Sequence, residues 1–259
     1  MDGTLLDDKK HLPAEFPQIL RRLRDRGIQF AVGSGRSYPI LRQDFAEYLG
    51  ELYFICDNGS ILLKDDQIQY SSPFSRELTL EISEVCRSIQ GIVPVLCGKK
   101  SAYHTPCPQE YEGALRSYYN QEHVLSDLRE FASVEDEILK FAIFDPQGGA
   151  NHSYPVLNQL FSDRCNVVVS GPYWVDVMLK GVSKGTAVAF LQKKLGISRE
   201  ETMAFGDFYN DVEMLQQAEY SFVMENAEEK MKQYGNYIAP KNTDNGVMRM
   251  IQKFIFEGE

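Results

Sequence analysis

The chain is most informative at residues 1–6, with the sequence MDGTLL, and at residues 206–211, GDFYND. Between them stand residues 33–36, GSGR, and Lys184. The GSGR and GDFYND segments each follow a short apolar run and so come at the end of a predicted strand. Ligands bind outside the carboxyl ends of strands in open parallel sheets, so these segments predict a binding site at one edge of such a sheet.

Helices and strands alternate on both sides of the middle of the chain. The first part predicts helices at residues 14–26 and 37–49 and strands at residues 28–32, 52–56, 60–63 and 67–71, the last two as a hairpin. After Ser183 the pattern resumes, with helices at residues 186–195, 210–218 and from Gly246, and strands at residues 202–205 and 220–223. Such alternation predicts an α/β fold with a doubly wound, Rossmann-like core, in which helices cover both faces of a parallel sheet.

The middle of the chain has a different pattern. Short turns join several of its strands, as at residues 170–172, so a mixed α+β unit is predicted rather than more parallel sheet. Its predicted helices are residues 78–90, 110–119 and 153–161, and its predicted strands are residues 92–96, 139–144, 165–170 and 174–179. We therefore expect a core formed by residues 1–77 and 181–259, with a cap domain, residues 78–180, inserted into it.

The composition excludes several classes of protein. A net charge of −10 and the lack of a Lys/Arg cluster argue against a nucleic-acid partner. No apolar run approaches the roughly 20 residues that cross a bilayer, and the N-terminus has no signal-peptide pattern, so we expect no membrane partner and a soluble, cytoplasmic protein. The five cysteines form no C-x-x-C pair, which predicts reduced thiols rather than a zinc site or disulfides.

The polar residues of the motifs suit a phosphate ligand. Ser34 lies between Gly33 and Gly35, and glycines let the backbone approach an anion while N–H groups and the hydroxyl donate to it. Lys184 is predicted in the first turn of a helix, where its ammonium can neutralise phosphate charge. Asp207 supplies a carboxylate, a ligand type that Mg²⁺ prefers. Taken one at a time, each motif also has a structural explanation as a turn, a helix cap or an exposed charge.

Taken together and in this order, the four motifs resemble the phosphoryl-transfer motifs of the haloacid dehalogenase superfamily, in its Cof-type branch of cap-bearing phosphatases. The resemblance covers the whole predicted core. That family's opening motif is Asp-x-Asp-Gly-Thr, and its first Asp is the nucleophile. Here the sequence starts at the residue after that Asp, so the resemblance implies a nucleophile just before Met1 and absent from these 259 residues.

The resemblance implies a role for each matching residue. Asp2 would protonate the leaving group and then activate water, which requires a pKa raised towards neutrality. Asp207 and the backbone carbonyl of Asp2 would bind Mg²⁺. Asp211 would not bind the metal itself but would orient Asp207. Ser34, in place of the family's usual Thr, and Lys184 would take part in catalysis. The residues implied to bind the substrate phosphate are Thr4, Ser34, Gly35, Lys184 and Asn210.

The implied function is Mg²⁺-dependent hydrolysis of phosphate monoesters of small metabolites through an aspartyl-phosphate intermediate. Sugar phosphates, nucleotides and phosphorylated cofactors stay open as substrates, and so does the oligomeric state. Two alternatives stay open as well: a non-catalytic, phosphate-binding or regulatory relative, and a phosphomutase. An in-frame Asp codon upstream of Met1, preceded by an apolar run, would favour the enzyme. Weaker family features are residues 58–59 (NG) and 224–227 (MENA), which a turn and a helix cap explain almost as well.

Overall fold

The first part of the chain folds into alternating helices and strands. The computed structural model describes residues 1–116 and 122–257. The elements before the insert are α1 (Phe16–Asp25), β1 (Phe30–Gly33), α2 (Tyr38–Asp44), β2 (Leu52–Cys56), β3 (Ile61–Lys64) and β4 (Gln67–Ser71). The helix α2 ends earlier than predicted, and a short 3₁₀ turn, Ala46–Tyr48, follows it.

The insert contains helices and longer strands, most of them at predicted positions. They are α3 (Arg76–Ser88), β5 (Val93–Gly98), β6 (Ala102–His104), α4 (Gln109–Arg116), β7 (Glu122–Val124), β8 (Ile138–Phe144), α5 (Ser153–Phe161), β9 (Cys165–Gly171) and β10 (Trp174–Leu179). The sequence prediction missed β6 and β7, because strands of 3 residues are too short to show an alternating pattern. The end of the predicted helix at residues 110–119 falls on residues 117–121, outside the described part of the chain.

After the insert the chain returns to helix and strand alternation. The elements are α6 (Lys184–Leu195), β11 (Met203–Gly206), α7 (Val212–Gln216), β12 (Tyr220–Met224), β13 (Tyr237–Ala239) and α8 (Gly246–Ile251). The strand β13 was not predicted, because its apolar run of 3 residues is shorter than the runs that mark a buried strand. A π-helical turn, Gln252–Phe256, continues α8.

Local sequence fixes where α6 begins, and this matters because Lys184 is its first residue. The Ser183 side chain accepts a hydrogen bond from the backbone N–H of Thr186, and Thr186 Oγ1 accepts one from the backbone N–H of Ser183 at 2.9 Å. This reciprocal pair satisfies N–H groups that a first helical turn leaves without partners. Gly196 ends the helix with φ of 69°, a left-handed conformation that glycine adopts without strain.

The core strands form two sheets rather than the one parallel sheet expected from the sequence. The first has the order β1-β2-β3-β4, with β1 and β2 parallel and the hairpin of β3 and β4 antiparallel. The second has the order β11-β12-β13 and is parallel throughout. One buried cluster joins them, since it contains Phe54 of the first sheet, Phe222 of the second, and Leu20 and Ile251 of the helices α1 and α8. Both sheets therefore belong to one α/β core.

A gap separates the two core sheets. The strands β1 and β11 line the same cavity, of about 430 Å³, together with Met1 and Leu5. Within the described residues each of these two strands pairs on one side only, and Ala31 in β1 is exposed. The Met1 amino group donates to the carbonyl oxygen of Gly33 at 3.4 Å, at the carboxyl end of β1. The sheet is divided because no strand of the described ranges occupies this gap.

The insert forms a sheet of its own, in the order β7-β6-β5-β8-β10-β9. Its neighbours pair antiparallel, apart from β6 with β7. One face packs on α3 and α5 around Ile82, Phe141 and Leu157. On the opposite face Ala142 pairs with Asp176, and this face meets the core. The insert is a mixed α+β unit; its boundaries at residues 77/78 and 180/181 stay a prediction.

The structure also bears on the cysteines and on membrane crossing. The five cysteines lie in the described ranges and none of them is in a disulfide; all except Cys107 are buried. In the two described ranges, no helix combines the length and the apolar character needed to cross a bilayer.

Candidate active site

One cavity at the carboxyl ends of β1 and β11 gathers residues from all four motifs. It has a volume of about 360 Å³. The residues singled out in the sequence that line it are Asp2, Ser34, Gly35, Lys184, Asp207, Asn210 and Asp211. Thr4 lies just beside it, where its hydroxyl donates to Asp207 Oδ1. Segments far apart in sequence thus meet at one edge of the core, and their catalytic and binding roles stay predictions.

Lys184 and Asp211 form a buried ion pair at this cavity. Lys184 Nζ donates to Asp211 Oδ1 at 2.6 Å, and each side chain is only 4% exposed. Asp211 Oδ2 accepts from the backbone N–H of Asp207 at 3.1 Å. Burial alone would raise the pKa of Asp211, but the Lys184 ammonium and the Met1 amino group together outweigh it and hold this pKa below its ordinary value. The ionised carboxylate therefore fixes both the ammonium and the backbone that carries Asp207.

Asp207 occupies a crowded position against the first residues of the chain. Gly3, at φ of 67°, lies so close that a Cβ there would overlap the Asp207 carboxylate. The Met1 amino group is buried nearby, and that burial lowers its pKa. Burial also raises the pKa of Asp207, although the Met1 amino group and the Thr4 hydroxyl act in the opposite direction. A further cation beside Asp207 would therefore favour its ionised form.

Asp2 is held by two cations that the sequence prediction did not consider. Its Oδ1 accepts from Arg36 Nη2 at 2.6 Å and lies 2.8 Å from Lys10 Nζ. Burial would raise the pKa of Asp2, but Lys10 and Arg36 together keep it below the ordinary value. The expectation of a raised pKa is wrong for this structure, because opposite charges at hydrogen-bonding distance outweigh desolvation. Arg36 belongs to the GSGR segment, so it could have been considered as a site residue. No pattern in the sequence indicates that Lys10 lies at the site.

The loop of residues 34–36 has fewer donors facing the cavity than the sequence suggested. The backbone N–H of Ser34 donates to the carbonyl oxygen of Ile55 at 2.9 Å, which continues the ladder of β1 and β2. The backbone N–H of Arg36 donates to Ser34 Oγ at 3.1 Å. Because Oγ accepts this bond, the hydroxyl hydrogen of Ser34 stays available for an anion. The hydroxyl, rather than the N–H of Ser34, is thus the donor that this residue can offer.

Asparagines tie the loops around the cavity together. Asn210 Nδ2 donates to Asn58 Oδ1 at 2.9 Å, so Asn210 is anchored to the loop that follows β2. Asn226 Nδ2 donates to the carbonyl oxygen of Gly3 at 2.8 Å. Both Asn58 and Asn226 belong to the two weaker family features of the sequence. Asn58 therefore holds a side chain of one motif and Asn226 the backbone of another, beyond forming a local turn or cap.

The insert contributes charged residues that the sequence prediction missed. Lys140 of β8 and Asp176 of β10 line the cavity, and each is nearly fully buried. Lys140 Nζ donates to the carbonyl oxygen of Gly35 at 2.6 Å and lies 3.2 Å from Asp57 Oδ1. The sequence did contain a sign of these two residues, because each is a single charge inside an apolar strand. Such a charge is buried only when it has a partner.

The chemistry of the donors can be compared with the needs of a divalent cation. Over the ranges the structure describes, no three His, Cys, Asp or Glu side chains form a ready-made cage. Mg²⁺ does not require one, since it keeps several waters and binds through one or two carboxylates. The Asp207 carboxylate, half-buried and raised in pKa, is a hard oxygen ligand that a cation would stabilise. The chemistry of the Asp207 carboxylate therefore suits Mg²⁺.

This site can be placed among known proteins. The family model of haloacid dehalogenase-like hydrolases matches residues 1–251. The chain belongs to this family. It is 30% identical over 260 residues to the 5-amino-6-(5-phospho-D-ribitylamino)uracil phosphatase YbjI of Escherichia coli (strain K12), a match that covers 98% of this chain and 94% of that protein.

Two further proteins are similar to this chain over almost their full length. The 5-amino-6-(5-phospho-D-ribitylamino)uracil phosphatase YcsE of Bacillus subtilis (strain 168) is 27% identical over 263 residues, covering 98% of this chain and 93% of that protein. The crystal structure of SMU.1108c from Streptococcus mutans UA159 superposes with a TM-score of 0.89 at 28% identity, covering 98% of this chain and 96% of that one. The predicted family, α/β fold class and enzyme class, a phosphoric monoester hydrolase, are confirmed.

Proposed function

We propose that this hydrolase cleaves phosphate monoesters of small metabolites with Mg²⁺, through an aspartyl-phosphate formed on an aspartate that precedes Met1. The observation that carries the proposal is the meeting of Asp2, Ser34, Lys184 and Asp207 around one cavity. These groups combine an acid, a hydroxyl donor, a buried ammonium and a metal ligand. Phosphoryl transfer needs this combination, because its catalysis consists largely of positioning and charge neutralisation.

Three residues would hold the phosphate. The Ser34 hydroxyl donates to one oxygen, and the glycine at position 35 lets the backbone come close to the ligand. Lys184 Nζ, fixed by Asp211, keeps two further N–H donors for phosphate oxygens. The charge on Lys184 then offsets the repulsion between an anionic nucleophile and the dianionic ester.

Asp2 would act as the acid and later as the base. The ester brings negative charge next to Asp2 and engages Arg36, and both changes raise the pKa of this carboxyl from its lowered value in the free protein. Once protonated, Asp2 can donate to the leaving oxygen, and the resulting carboxylate can take a proton from the attacking water. Asp207 and the carbonyl of Asp2 would hold Mg²⁺, which supplies positive charge opposite the phosphate oxygens when bound.

Two features support a nucleophile that precedes Met1. The Met1 amino group is buried beside Lys184, Asp211 and Asp207, so a residue joined to it lies at the site. The gap between β1 and β11 is also lined by Met1, and most of the side chains around it are apolar. An apolar strand in this gap would pair with both edges and end in the nucleophile.

The cap side of the cavity suggests which esters to test. Trp174 and Asp176 of β10 line it together with Ala142, so the leaving group meets an aromatic ring, a carboxylate and a small residue. An aromatic ring can stack on a flat heterocycle, and a carboxylate accepts from amino or hydroxyl groups. The substrate named for YbjI, with a uracil ring and a ribityl chain, is therefore a good first candidate.

The test is a hydrolysis screen of phosphate esters with a chain that carries the upstream aspartate. The screen includes the YbjI substrate, sugar phosphates, nucleotides and pyridoxal phosphate, each with Mg²⁺ and with EDTA. Phosphate release with Mg²⁺ and its loss in EDTA are expected. Phosphate binding without turnover of any ester would instead favour the non-catalytic alternative.

A further inference from the structure

A cap lysine is bonded directly to the phosphate-binding loop of the core. Lys140 lies in β8, a strand in which every residue is buried. Its ammonium donates to the carbonyl oxygen of Gly35 at 2.6 Å and lies 3.2 Å from Asp57 Oδ1 and 3.8 Å from Asp176 Oδ2. Of these three oxygens, the carbonyl of Gly35 is the hydrogen-bond acceptor, and the two carboxylates attract the ammonium as ion pairs.

The neighbouring carbonyls of the same loop are held by the core itself. The carbonyl oxygen of Ser34 accepts from the backbone N–H of Asn58 at 3.0 Å, and that of Arg36 accepts from the backbone N–H of Asp57 at 3.0 Å. The carbonyl between them, that of Gly35, is the one that Lys140 holds. The cap therefore supplies the middle of three consecutive anchors of this loop.

The Lys140 bond reaches the predicted phosphate donor in two steps. The carbonyl of Gly35 and the N–H of Arg36 belong to one planar peptide, so fixing the first orients the second. The N–H of Arg36 donates to Ser34 Oγ at 3.1 Å. Because this bond occupies an acceptor position of Oγ, it sets the direction in which the Ser34 hydroxyl donates.

The charge of Lys140 does not make this cluster a binding site for phosphate. Asp57 and Asp176 lie beside it, both almost fully buried, so the cluster carries more negative than positive groups. Such a cluster does not attract phosphate by net charge. Lys140 can contribute through the geometry of its hydrogen bond to the Gly35 carbonyl.

We propose that Lys140 is a positioning residue, which fixes the Gly35–Arg36 peptide from the cap and through it aims the Ser34 hydroxyl at the substrate phosphate. The proposal rests on the proposed function and adds that binding of the phosphate group itself depends on the cap. A cap residue that contacted only the leaving group would have no effect on inorganic phosphate, which has no leaving group.

The test measures binding of inorganic phosphate by calorimetry in Mg²⁺, in a double-mutant cycle of Lys140→Met and Ser34→Ala. Lys140→Met is expected to weaken binding about tenfold in the Ser34 background and to have little further effect in Ser34→Ala. Lys180→Met is the matched control, since Lys180 is an exposed cap lysine that donates to the carbonyl oxygen of Ser162 at 2.7 Å. This control is expected to bind phosphate as the unchanged chain does.

Each other outcome has a definite meaning. Unchanged binding in Lys140→Met, or equal weakening in both backgrounds, would overturn the positioning role while leaving the proposed function in place. All variants carry the upstream aspartate, and if that chain without further changes binds no phosphate with Mg²⁺, both proposals fail. If Lys140→Met does not fold, the double variant Lys140→Met/Asp57→Asn is used, which removes one positive and one negative group. The same cycle with Ser34→Ala is then run with Asp57→Asn as the starting chain.

Discussion

The ammonium of Lys184 lies 2.6 Å from Asp211 Oδ1, and both side chains are almost fully buried. Neither group can be removed without leaving a buried charge without its partner. Lys184→Met is therefore expected to lower the free energy of unfolding by about 3–5 kcal/mol and to abolish turnover. Lys193 is exposed in the last turn of the same helix. Lys193→Met should therefore change the free energy of unfolding by less than about 0.5 kcal/mol. Urea unfolding compares the two; equal losses would contradict the assignment.

The same pair predicts how stability depends on pH. The folded state lowers the pKa of Asp211, so it favours the ionised form more than the unfolded chain does. The resulting stabilisation is complete above the unfolded pKa, about 3.9, and is lost as pH falls through the folded-state pKa. Urea unfolding at a series of acidic pH values should show a steeper loss for the unchanged chain than for Asp211→Asn. Parallel curves would mean that another group controls acid unfolding.

Asp2 and Asp207 are expected to be required for turnover in different ways. In a chain with the upstream aspartate, Asp2→Asn removes the acid and should lower kcat about 10²–10⁴-fold. Asp207→Asn removes a metal ligand and should raise the Mg²⁺ concentration needed for half-maximal activity. Asp163→Asn, an exposed acid of the cap, is the control. Full activity in either folded site variant, or in EDTA, would refute the proposed mechanism.

The chain that begins at Met1 is expected to bind phosphate weakly and to hydrolyse esters at a negligible rate. An extension with an apolar strand and a final Asp should restore turnover and add stability, at about 1.5–3 kcal/mol for each apolar side chain that becomes buried. A control extension of the same length keeps the Asp but replaces the apolar residues with Ser and Gly. Mass spectrometry verifies each N-terminus, and urea unfolding and turnover are compared. Equal turnover with and without the Asp would show that it is not the nucleophile.

Gly59 is expected to resist substitution. It has φ of 97°, and a Cβ there would overlap the carbonyl oxygen of Ser183, just before Lys184. Gly59→Ala should therefore destabilise the chain by more than about 1 kcal/mol. Gly113→Ala in helix α4 is the matched control, because a Cβ at that position meets nothing within 4 Å and helical Gly→Ala changes usually gain about 0.5–1 kcal/mol. A thermal unfolding scan that ranks the two variants the other way would contradict this reading.

Periodicity predicted much of the fold, because long buried elements carry strong patterns. The strands Leu52–Cys56 and Trp174–Leu179 and the helix Ser153–Phe161 have the predicted bounds. The strands of 3 residues, such as Tyr237–Ala239, were missed, since they are too short to show a recognisable pattern. The division of the core into two sheets depends on which strands are neighbours in space, and local sequence does not determine this.

The sequence predicted those site residues that belong to a short polar motif directly after a strand. Ser34 and Asp207 each follow a strand at the same sheet edge, and the structure places both at one cavity. The cations around Asp2 were not predictable in the same way. Lys10 and Arg36 reach it through folded loops, and their charge reverses the expected direction of its pKa shift. The cap contribution of Lys140 also depends on tertiary packing, which joins residues 105 positions apart.

The facing edges of β1 and β11 also bear on how the protein behaves at high concentration. Edge strands with unpaired N–H and C=O groups are templates for pairing with another chain, and the cavity between these two is lined mostly by apolar side chains. Copies of the chain that begins at Met1 therefore have a route to aggregation by intermolecular strand addition. A short apolar peptide added in trans would compete for the same edges and keep the protein soluble.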